Sequence, residues 1–255
     1  MTTVATELGL QSTYNRPYSP SLLIAIPRKK IALDTVGHDL WRCYEVSWLD
    51  LNNKPVLTTL VLSYPSSSEF IVESKSLKIY LGSFNFMQFA SSSELLQTVT
   101  HDLKNAIGCD INAYFDDVMS RGVLPGTCID DNMSIPDYNS GLMVLDNTVT
   151  ETLHSNLFRS LCPVTAQPDW ASILIIYTGL QISRESLLSY ILSFREHQSF
   201  HEECVETIYA EIIKQCAPAN LFVQGFFTRR GGIDINPCRS SHVGYSLANL
   251  YLPRQ

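Results

Sequence analysis

Ser76-Leu-Lys-Ile-Tyr-Leu-Gly-Ser-Phe84 and Ser186-Leu-Leu-Ser-Tyr-Ile-Leu-Ser-Phe194 share five identities in nine positions at an offset of 110 residues, and that repetition decides how the chain is read. Self-similarity at a fixed offset is the mark of a duplicated structural unit. A second pair supports it: Ile129-Asp130-Asp131-Asn132 matches Ile233-Asp234-Ile235-Asn236, and each half carries an amphipathic pattern between its two matching segments. The order of elements therefore repeats as well.

In the first half, residues 42–48 and 56–64 read as paired strands, with Asn52, Asn53 and Pro55 supplying the turn between them. Ser91-x-x-Glu94 has the form of a capping box, after which Leu95, Leu96, Val99, Leu103, Ala106 and Ile107 recur at helical spacing and residues 111–115 return to strand. The second half copies the plan. Residues 149–158 and 171–177 are strands, Ser199-x-x-Glu202 is a second capping box, Val205, Ile208, Tyr209, Ile212, Ile213 and Cys216 form one helical face, and residues 221–228 are strand again. Each half is thus expected to be β-β-α-α-β-β, an α+β unit whose helices cover one face of an antiparallel sheet. The polar stretch 133–147 predicts the connection between halves, placing modules at residues 1–140 and 141–255.

Composition narrows the function classes. With 255 residues the chain can bury about 70–75% of the surface its unfolded form would expose. Lys plus Arg is 18 and Asp plus Glu is 25, a net charge of −7, which argues against direct grip on a nucleic-acid backbone. The longest apolar runs, such as residues 22–26 and 173–177, fall far short of the roughly 20 residues a membrane span needs. The opening MTTVATELGL has no signal-peptide core, and the seven cysteines are odd in number, scattered and without a C-x-x-C pair. Together these features predict reduced thiols and a cytoplasmic location.

The halves differ where chemistry is expected. Residues 162–169, Cys-Pro-Val-Thr-Ala-Gln-Pro-Asp, occupy a loop whose first-half counterpart, residues 49–54, has no cysteine. Phe200-His201-Glu202 stands against Phe89-Ala90-Ser91, Glu73-Ser74-Lys75-Ser76 against Ser183-Arg184-Glu185-Ser186, and Thr228-Arg229-Arg230-Gly231-Gly232 has no close match. Neither half holds a full reactive set, which points to a composite site. Cys162 would need a neighbour to ionise it, since an ordinary thiol of pKa about 8.5 is only a few per cent thiolate near neutrality and a carboxylate such as Asp169 alone raises that value. The plainer reading makes Cys162 a small buried hydrophobe, Asp169 a strand-entry residue, Glu202 a backbone cap, Glu73 and Lys75 solvated charges, and the Arg-Arg-Gly-Gly turn a hairpin tip. Capping leaves His201 unexplained. Alternatively the Arg-Arg-Gly-Gly turn grips phosphate through guanidinium and backbone N–H groups. The familiar nucleotide and zinc motifs, G-x-G-x-x-G, G-x-x-x-x-G-K-[ST] and H-E-x-x-H, are missing.

Taken together, Glu73-Ser-Lys-Ser-Leu-Lys-Ile-Tyr80, Ser160-Leu-Cys-Pro-Val-Thr-Ala-Gln-Pro-Asp-Trp170, Ser193-Phe-Arg-Glu-His-Gln-Ser-Phe-His-Glu202 and Phe227-Thr-Arg-Arg-Gly-Gly232 resemble the NADPH-dependent 7-cyano-7-deazaguanine reductases of queuosine biosynthesis, in their longer two-module form. Ile79 is a conservative departure from that pattern. The resemblance implies tandem tunnelling-fold (T-fold) modules, a homodimer, and no metal. It implies that Cys162 attacks a nitrile to form a covalent thioimide, with Asp169 as proton donor and His201 closing the pocket over the reacting carbon. Glu202 would read the deazaguanine edge, Val72, Glu73 and Ser74 would line the substrate site from the other module, and Ser74, Lys75, Arg230 and Gly231 would hold NADPH. Rival readings are a GTP cyclohydrolase-like zinc hydrolase, which needs a ligand set the sequence does not offer around Cys162, a thiol hydrolase, and a non-catalytic purine-binding module.

Overall fold

Strand length follows from runs of large and β-branched residues closed by turn formers. The structure, a computed structural model, describes residues 17–29, 35–116, 121–131, 141–242 and 250–255. In chain order the elements are β1 (Ala25–Pro27), β2 (Val36–Leu49), β3 (Pro55–Pro65), β4 (Phe70–Val72), α1 (Ser74–Gly82), α2 (Ser92–Ile107), β5 (Asn112–Phe115), β6 (Thr127–Cys128), β7 (Val144–Leu161), β8 (Pro168–Ile182), α3 (Arg184–Leu192), α4 (His201–Cys216), β9 (Asn220–Phe227) and β10 (Ile233–Ser240). Eight strands form one sheet in the order β5-β3-β2-β10-β9-β8-β7-β6, and β1 pairs with β4 in a separate ribbon.

The α+β class is the expected one, and the duplication is visible in the backbone. Each half opens with a long hairpin, β2–β3 and β7–β8, and the first strand of each carries a register break, between Cys43 and Val46 and between Ser155 and Phe158. Antiparallel pairing of β10 with β2, from Ile233 opposite Cys43 to Ser240 opposite Val36, fuses the halves into a continuous sheet.

Period-two alternation decides which side the helices take. Ile173, Ile175 and Tyr177 of β8 and Leu221, Val223 and Phe227 of β9 pack with Leu187, Ile191, Val205, Ile208 and Ile212 of α3 and α4. The alternate residues Leu174, Phe222 and Phe226 face the other way, against Leu252 near the carboxyl end. Gly225 keeps the helical side close, because a Cβ there would come within 2.9 Å of Val205. In the first half Trp41, Leu60 and Leu62 meet Leu77, Tyr80, Leu95, Val99 and Leu103, and Ile233 and Ile235 of β10 join that same core. Strand β10 therefore belongs to both halves.

Where the halves meet on the helical side, four charged groups are buried together. Arg28 lies 2.6 Å from Asp39 and 3.1 Å from Glu206, while Arg239 lies 2.8 Å from Asp39 and also pairs with Glu206. Burial opposes the Asp39 charge, yet Arg239 and Arg28 outweigh it and hold its pKa below the usual carboxylate value. The network fastens β1, β2, β10 and α4 to one another.

Several details differ from the sequence reading. The fourth strand of the first half, β6, is two residues long and lies parallel to β7 at the far edge of the sheet, with the Ile129 N–H donating to the His154 carbonyl at 2.9 Å. Asp169 sits inside β8, opposite Ser160, because the β7–β8 ladder continues as far as Leu161 opposite Pro168. The expected module boundary near residue 140 lies outside the described residues, and β7 already begins at Val144.

Candidate active site

The hairpin β7–β8 ends in residues 162–167, and its closure fixes Cys162. The Cys162 N–H donates to the Gln167 carbonyl and the Ala166 N–H donates to the Cys162 carbonyl, both at 2.9 Å. Ala166 adopts a left-handed backbone (φ 55°), which turns the loop back toward the thiol. Cys162 is 9% exposed. Burial disfavours its thiolate, but hydrogen bonds from the Thr165 hydroxyl, the Thr165 and Val164 N–H groups and the Arg230 side chain outweigh that cost and lower its pKa. The sequence left this helper unidentified: it is the loop's own backbone together with Arg230.

Asp169, one strand residue beyond the loop, serves two partners. Its Oδ2 lies 3.2 Å from His201 Nε2 and its Oδ1 lies 2.9 Å from Arg230 Nε. The His201 ring is stacked on Phe227, with centroids 3.9 Å apart and planes 11° from parallel. The ring plane is fixed while its nitrogen edge faces Asp169.

Glu202 does not cap its helix. The N-cap of α4 is Phe200, which makes no side-chain cap bond, whereas Ser91 caps α2 by accepting from the Glu94 N–H at 3.2 Å. The expected second capping box is therefore absent: Ser199 donates instead to Glu203, and α4 begins late enough to leave Glu202 on its inner side. The alignment of halves shifts by one residue as well. Leu49 bridges Gln88 and Leu161 bridges Gln198, so Phe200-His201-Glu202 corresponds to Ala90-Ser91-Ser92. Only 2% of Glu202 is exposed, and among the described residues its Oε1 has no hydrogen-bond partner. Burial and the nearby Asp39 charge push its pKa up to about 8.

From the first half, Glu73 is the N-cap of α1, its carboxylate accepting from the Lys75 N–H at 2.8 Å and the Ser76 N–H at 2.6 Å. It is a cap and not the solvated charge of the plainer reading. Ile24 holds this entrance from outside, donating to Ser76 Oγ at 3.0 Å and accepting from the Glu73 N–H at 2.9 Å. At the β9–β10 turn Gly231 is left-handed (φ 61°), and a Cβ there would come within 2.8 Å of Lys78 Nζ.

All ten residues singled out in the sequence converge. Val72, Glu73, Ser74 and Lys75 from one half, and Cys162, Asp169, His201, Glu202, Arg230 and Gly231 from the other, line a single cavity of about 620 Å³. Sequence reasoning missed Trp41, Lys78, Thr165 and Gln167 as lining residues. Lys78 lies in the quoted repeat, one turn beyond Lys75, and that spacing was the available signal. Among the described residues no group of three or more His, Cys, Asp or Glu side chains is placed to hold a metal ion. Such an arrangement supports covalent thiol chemistry next to a carboxylate–imidazole pair, within reach of a second carboxylate fit to read hydrogen-bond donors.

Comparison with known proteins agrees with that class. Residues 14–115 match the family described as nitrile reductase, 7-cyano-7-deazaguanine-reductase N-term, and residues 168–244 match the QueF-like protein family. The NADPH-dependent 7-cyano-7-deazaguanine reductase of Desulfotalea psychrophila is 40% identical over 97% of this chain and 96% of its own. That of Saccharophagus degradans is 42% identical over 98% of both chains. A crystal structure of the archaeosine synthase QueF-Like in the apo form aligns with 40% of this chain at a TM-score of 0.34 and 16% identity, too remote to bear on the argument. The chain belongs to the NADPH-dependent 7-cyano-7-deazaguanine reductase family.

Proposed function

We propose that the protein reduces the nitrile of 7-cyano-7-deazaguanine to the aminomethyl group, consuming two NADPH and two protons per nitrile, in queuosine biosynthesis. The observation that carries this reading is the meeting of Cys162, Asp169, His201 and Glu202 with the Glu73-Ser74-Lys75 segment in one cavity. Glu202 accepts from the ring N–H and exocyclic amine of the substrate, and Val72, Glu73 and Ser74 close the site from the other half. Soft sulfur then adds to the electrophilic nitrile carbon. The Cys162 thiolate forms the new C–S bond, one C≡N electron pair moves to nitrogen, and nitrogen takes up the proton shared by the Asp169–His201 pair, giving a neutral thioimide. His201, held flat on Phe227, covers the reacting carbon.

The residues present fit a phosphate-bearing co-substrate. Lys75 and Lys78 stand a helical turn apart at the cavity, beside the glycine turn that a side chain at 231 would obstruct. Ser74, Lys75, Lys78, Gly231 and the outer nitrogens of Arg230 would hold NADPH, which supplies a hydride in each of two rounds. Between those rounds the C–S bond breaks, Cys162 leaves with its electron pair as thiolate, and the resulting imine stays in the pocket. Among the described residues the sheet ends at β5 and at β6, and we assign these two edges to a homodimer of two-module chains with T-fold closure. No helix among the described residues is long and apolar enough to cross a membrane. With all seven cysteines free, we place the enzyme in the cytoplasm.

The test is intact-protein mass spectrometry with the nitrile and no NADPH, on wild type and Cys162→Ala, followed by NADPH addition while absorbance near 340 nm is recorded. The expected result is a substrate-sized adduct on wild type alone, discharged as about two NADPH per nitrile are oxidised. Wild type that forms no adduct and consumes no NADPH overturns the reading.

A further inference from the structure

We infer that Arg230 is a positioning residue for the nucleophile: paired with Asp169 in the cavity that Cys162 lines, its guanidinium offsets that carboxylate's charge and readies the sulfur for attack before substrate arrives. This rests on the reading of Cys162 as nucleophile and departs from a purely phosphate-binding role for the arginine.

The geometry carries the argument. Asp169 by itself would oppose a neighbouring thiolate, because two anions close together destabilise one another. Arg230 Nε sits 2.9 Å from Asp169 Oδ1 and neutralises that carboxylate on the side away from His201, which takes the other oxygen at 3.2 Å. The same guanidinium lines the cavity with Cys162 and Asp169, where its positive charge favours the thiolate. A planar fork with several N–H donors can serve both partners at once, which a lysine ammonium does less well.

Backbone geometry aims the fork. Arg230 and Ile233 exchange N–H donation to each other's carbonyls, at 2.9 and 3.2 Å, across a turn in which Gly231 and Gly232 are both left-handed. The Gly232 carbonyl is pinned in turn by the Tyr44 N–H at 2.8 Å, and Tyr44 lies on β2, in the other half. With 37% of its side chain exposed, Arg230 tolerates replacement without leaving a buried gap.

Charged groups facing the thiol come from every element around the cavity: Asp169 from β8, His201 and Glu202 from α4, Glu73, Lys75 and Lys78 from α1, and Arg230 from the turn. Glu73 is engaged by its own helix N–H groups. Of the cations, Arg230 is the one paired with Asp169, so removing it leaves that carboxylate beside the thiol with only His201.

The experiment is site-resolved alkylation of Cys162 by iodoacetamide across pH 5–10, read by peptide mass spectrometry on wild type, Arg230→Gln and Arg230→Lys, with NADP+ titrated against each by calorimetry. In that reaction the sulfur displaces iodide, so the rate follows the thiolate fraction and needs neither nitrile nor NADPH. The expected result is a wild-type midpoint below the ordinary thiol's, raised by about one pH unit in Arg230→Gln, so that alkylation at pH 7 slows about tenfold, with partial recovery in Arg230→Lys. An unchanged midpoint in Arg230→Gln overturns the inference, whether or not NADP+ binds more weakly. Failure of the nitrile adduct in wild type would instead overturn the proposed reaction and leave this midpoint shift intact.

Discussion

Two hairpin ends, residues 50–54 and 162–167, are built alike and put to different use. In the first, the Asp50 N–H donates to the Lys54 carbonyl at 2.9 Å, the Asn53 N–H donates to the Asp50 carbonyl at 3.0 Å, and Asn53 is left-handed (φ 62°). In the second, Cys162, Gln167 and Ala166 repeat each of these relations with one extra residue in the loop. The first loop turns its N–H groups onto an anion: Asp50 Oδ1 accepts from the Asn52 N–H at 2.8 Å and the Lys54 N–H at 2.9 Å. The second turns the Val164 and Thr165 N–H groups, with the Thr165 hydroxyl, onto the Cys162 sulfur. A carboxylate cradle that receives a thiol favours the thiolate, for the same electrostatic reason. What the duplication provides is a turn already shaped for negative charge, and what the second half adds is a cavity in front of it.

The sharpest way to break the comparison is to exchange the two residues. Cys162→Asp should fold as well as wild type, because the loop N–H groups regain an anionic acceptor, yet lose nitrile reduction by about a thousandfold or more, since no soft nucleophile remains. Melting temperature and NADPH oxidation measured on the same preparation check both halves of that expectation. Conversely, Asp50→Ala should leave activity within about twofold and destabilise the chain by about 1 kcal/mol through the loss of its loop-capping bonds, as read by denaturant unfolding.

Asp169→Asn keeps the shape of the side chain while removing the charge that faces His201 and Arg230. Activity should fall by about a hundredfold to a thousandfold, the range expected for a proton-transfer partner. Thiol reactivity should rise at the same time, because Arg230 is then free to serve Cys162 alone. Opposite changes in activity and alkylation rate are the measurement to make; parallel losses would contradict the two-partner geometry.

Glu202 has no charged counterpart in the first half, where Ser92 holds the matching position. With its pKa near 8, it is mostly protonated at neutral pH in the empty site. A substrate presenting N–H donors binds the carboxylate, so binding releases a proton. Affinity for the nitrile should therefore rise up to about tenfold per pH unit below 8 and level off above it, and Glu202→Gln should remove that dependence. Calorimetry of Cys162→Ala with the nitrile, in buffers of different ionisation enthalpy, counts the protons directly.

How much of this was legible beforehand depends on what each feature rests on. The repeat around Tyr80 and Tyr190, the paired hairpins and the two long helices follow from local pattern and turn chemistry, and they could be read directly. Membership of Cys162, Asp169, His201 and Glu202 in a shared site required the family resemblance, because residues 40 apart in sequence meet only through the fold. Three things were not readable at all. The swap of β6 to the far edge depends on which strand wins a non-local pairing. The failed capping box at Ser199 arose because Ser-x-x-Glu specifies a cap only if the helix starts at the next residue, and here Phe200 intervenes. Arg230's hold on Asp169 depends on a turn anchored from the other half, through Tyr44.

The smallest expected effect tests the loops' shared backbone. Both hairpins place a left-handed residue at the matching position, Asn53 in one and Ala166 in the other. Asparagine tolerates that conformation because its short polar side chain bonds locally, whereas alanine's Cβ meets the following carbonyl. Ala166→Gly should therefore stabilise the chain by about 0.5–1 kcal/mol, and Asn53→Gly should change little, by denaturant midpoint at constant m-value. The two sites part company in function. Relief at Ala166 also loosens the turn that holds the Thr165 and Val164 N–H groups on the thiol, so the stabilised variant should alkylate Cys162 slightly more slowly at pH 7 than wild type. Gain in stability with loss of thiolate would show that the second loop keeps a strained alanine because a rigid cradle is worth more to the nucleophile than the strain costs the fold.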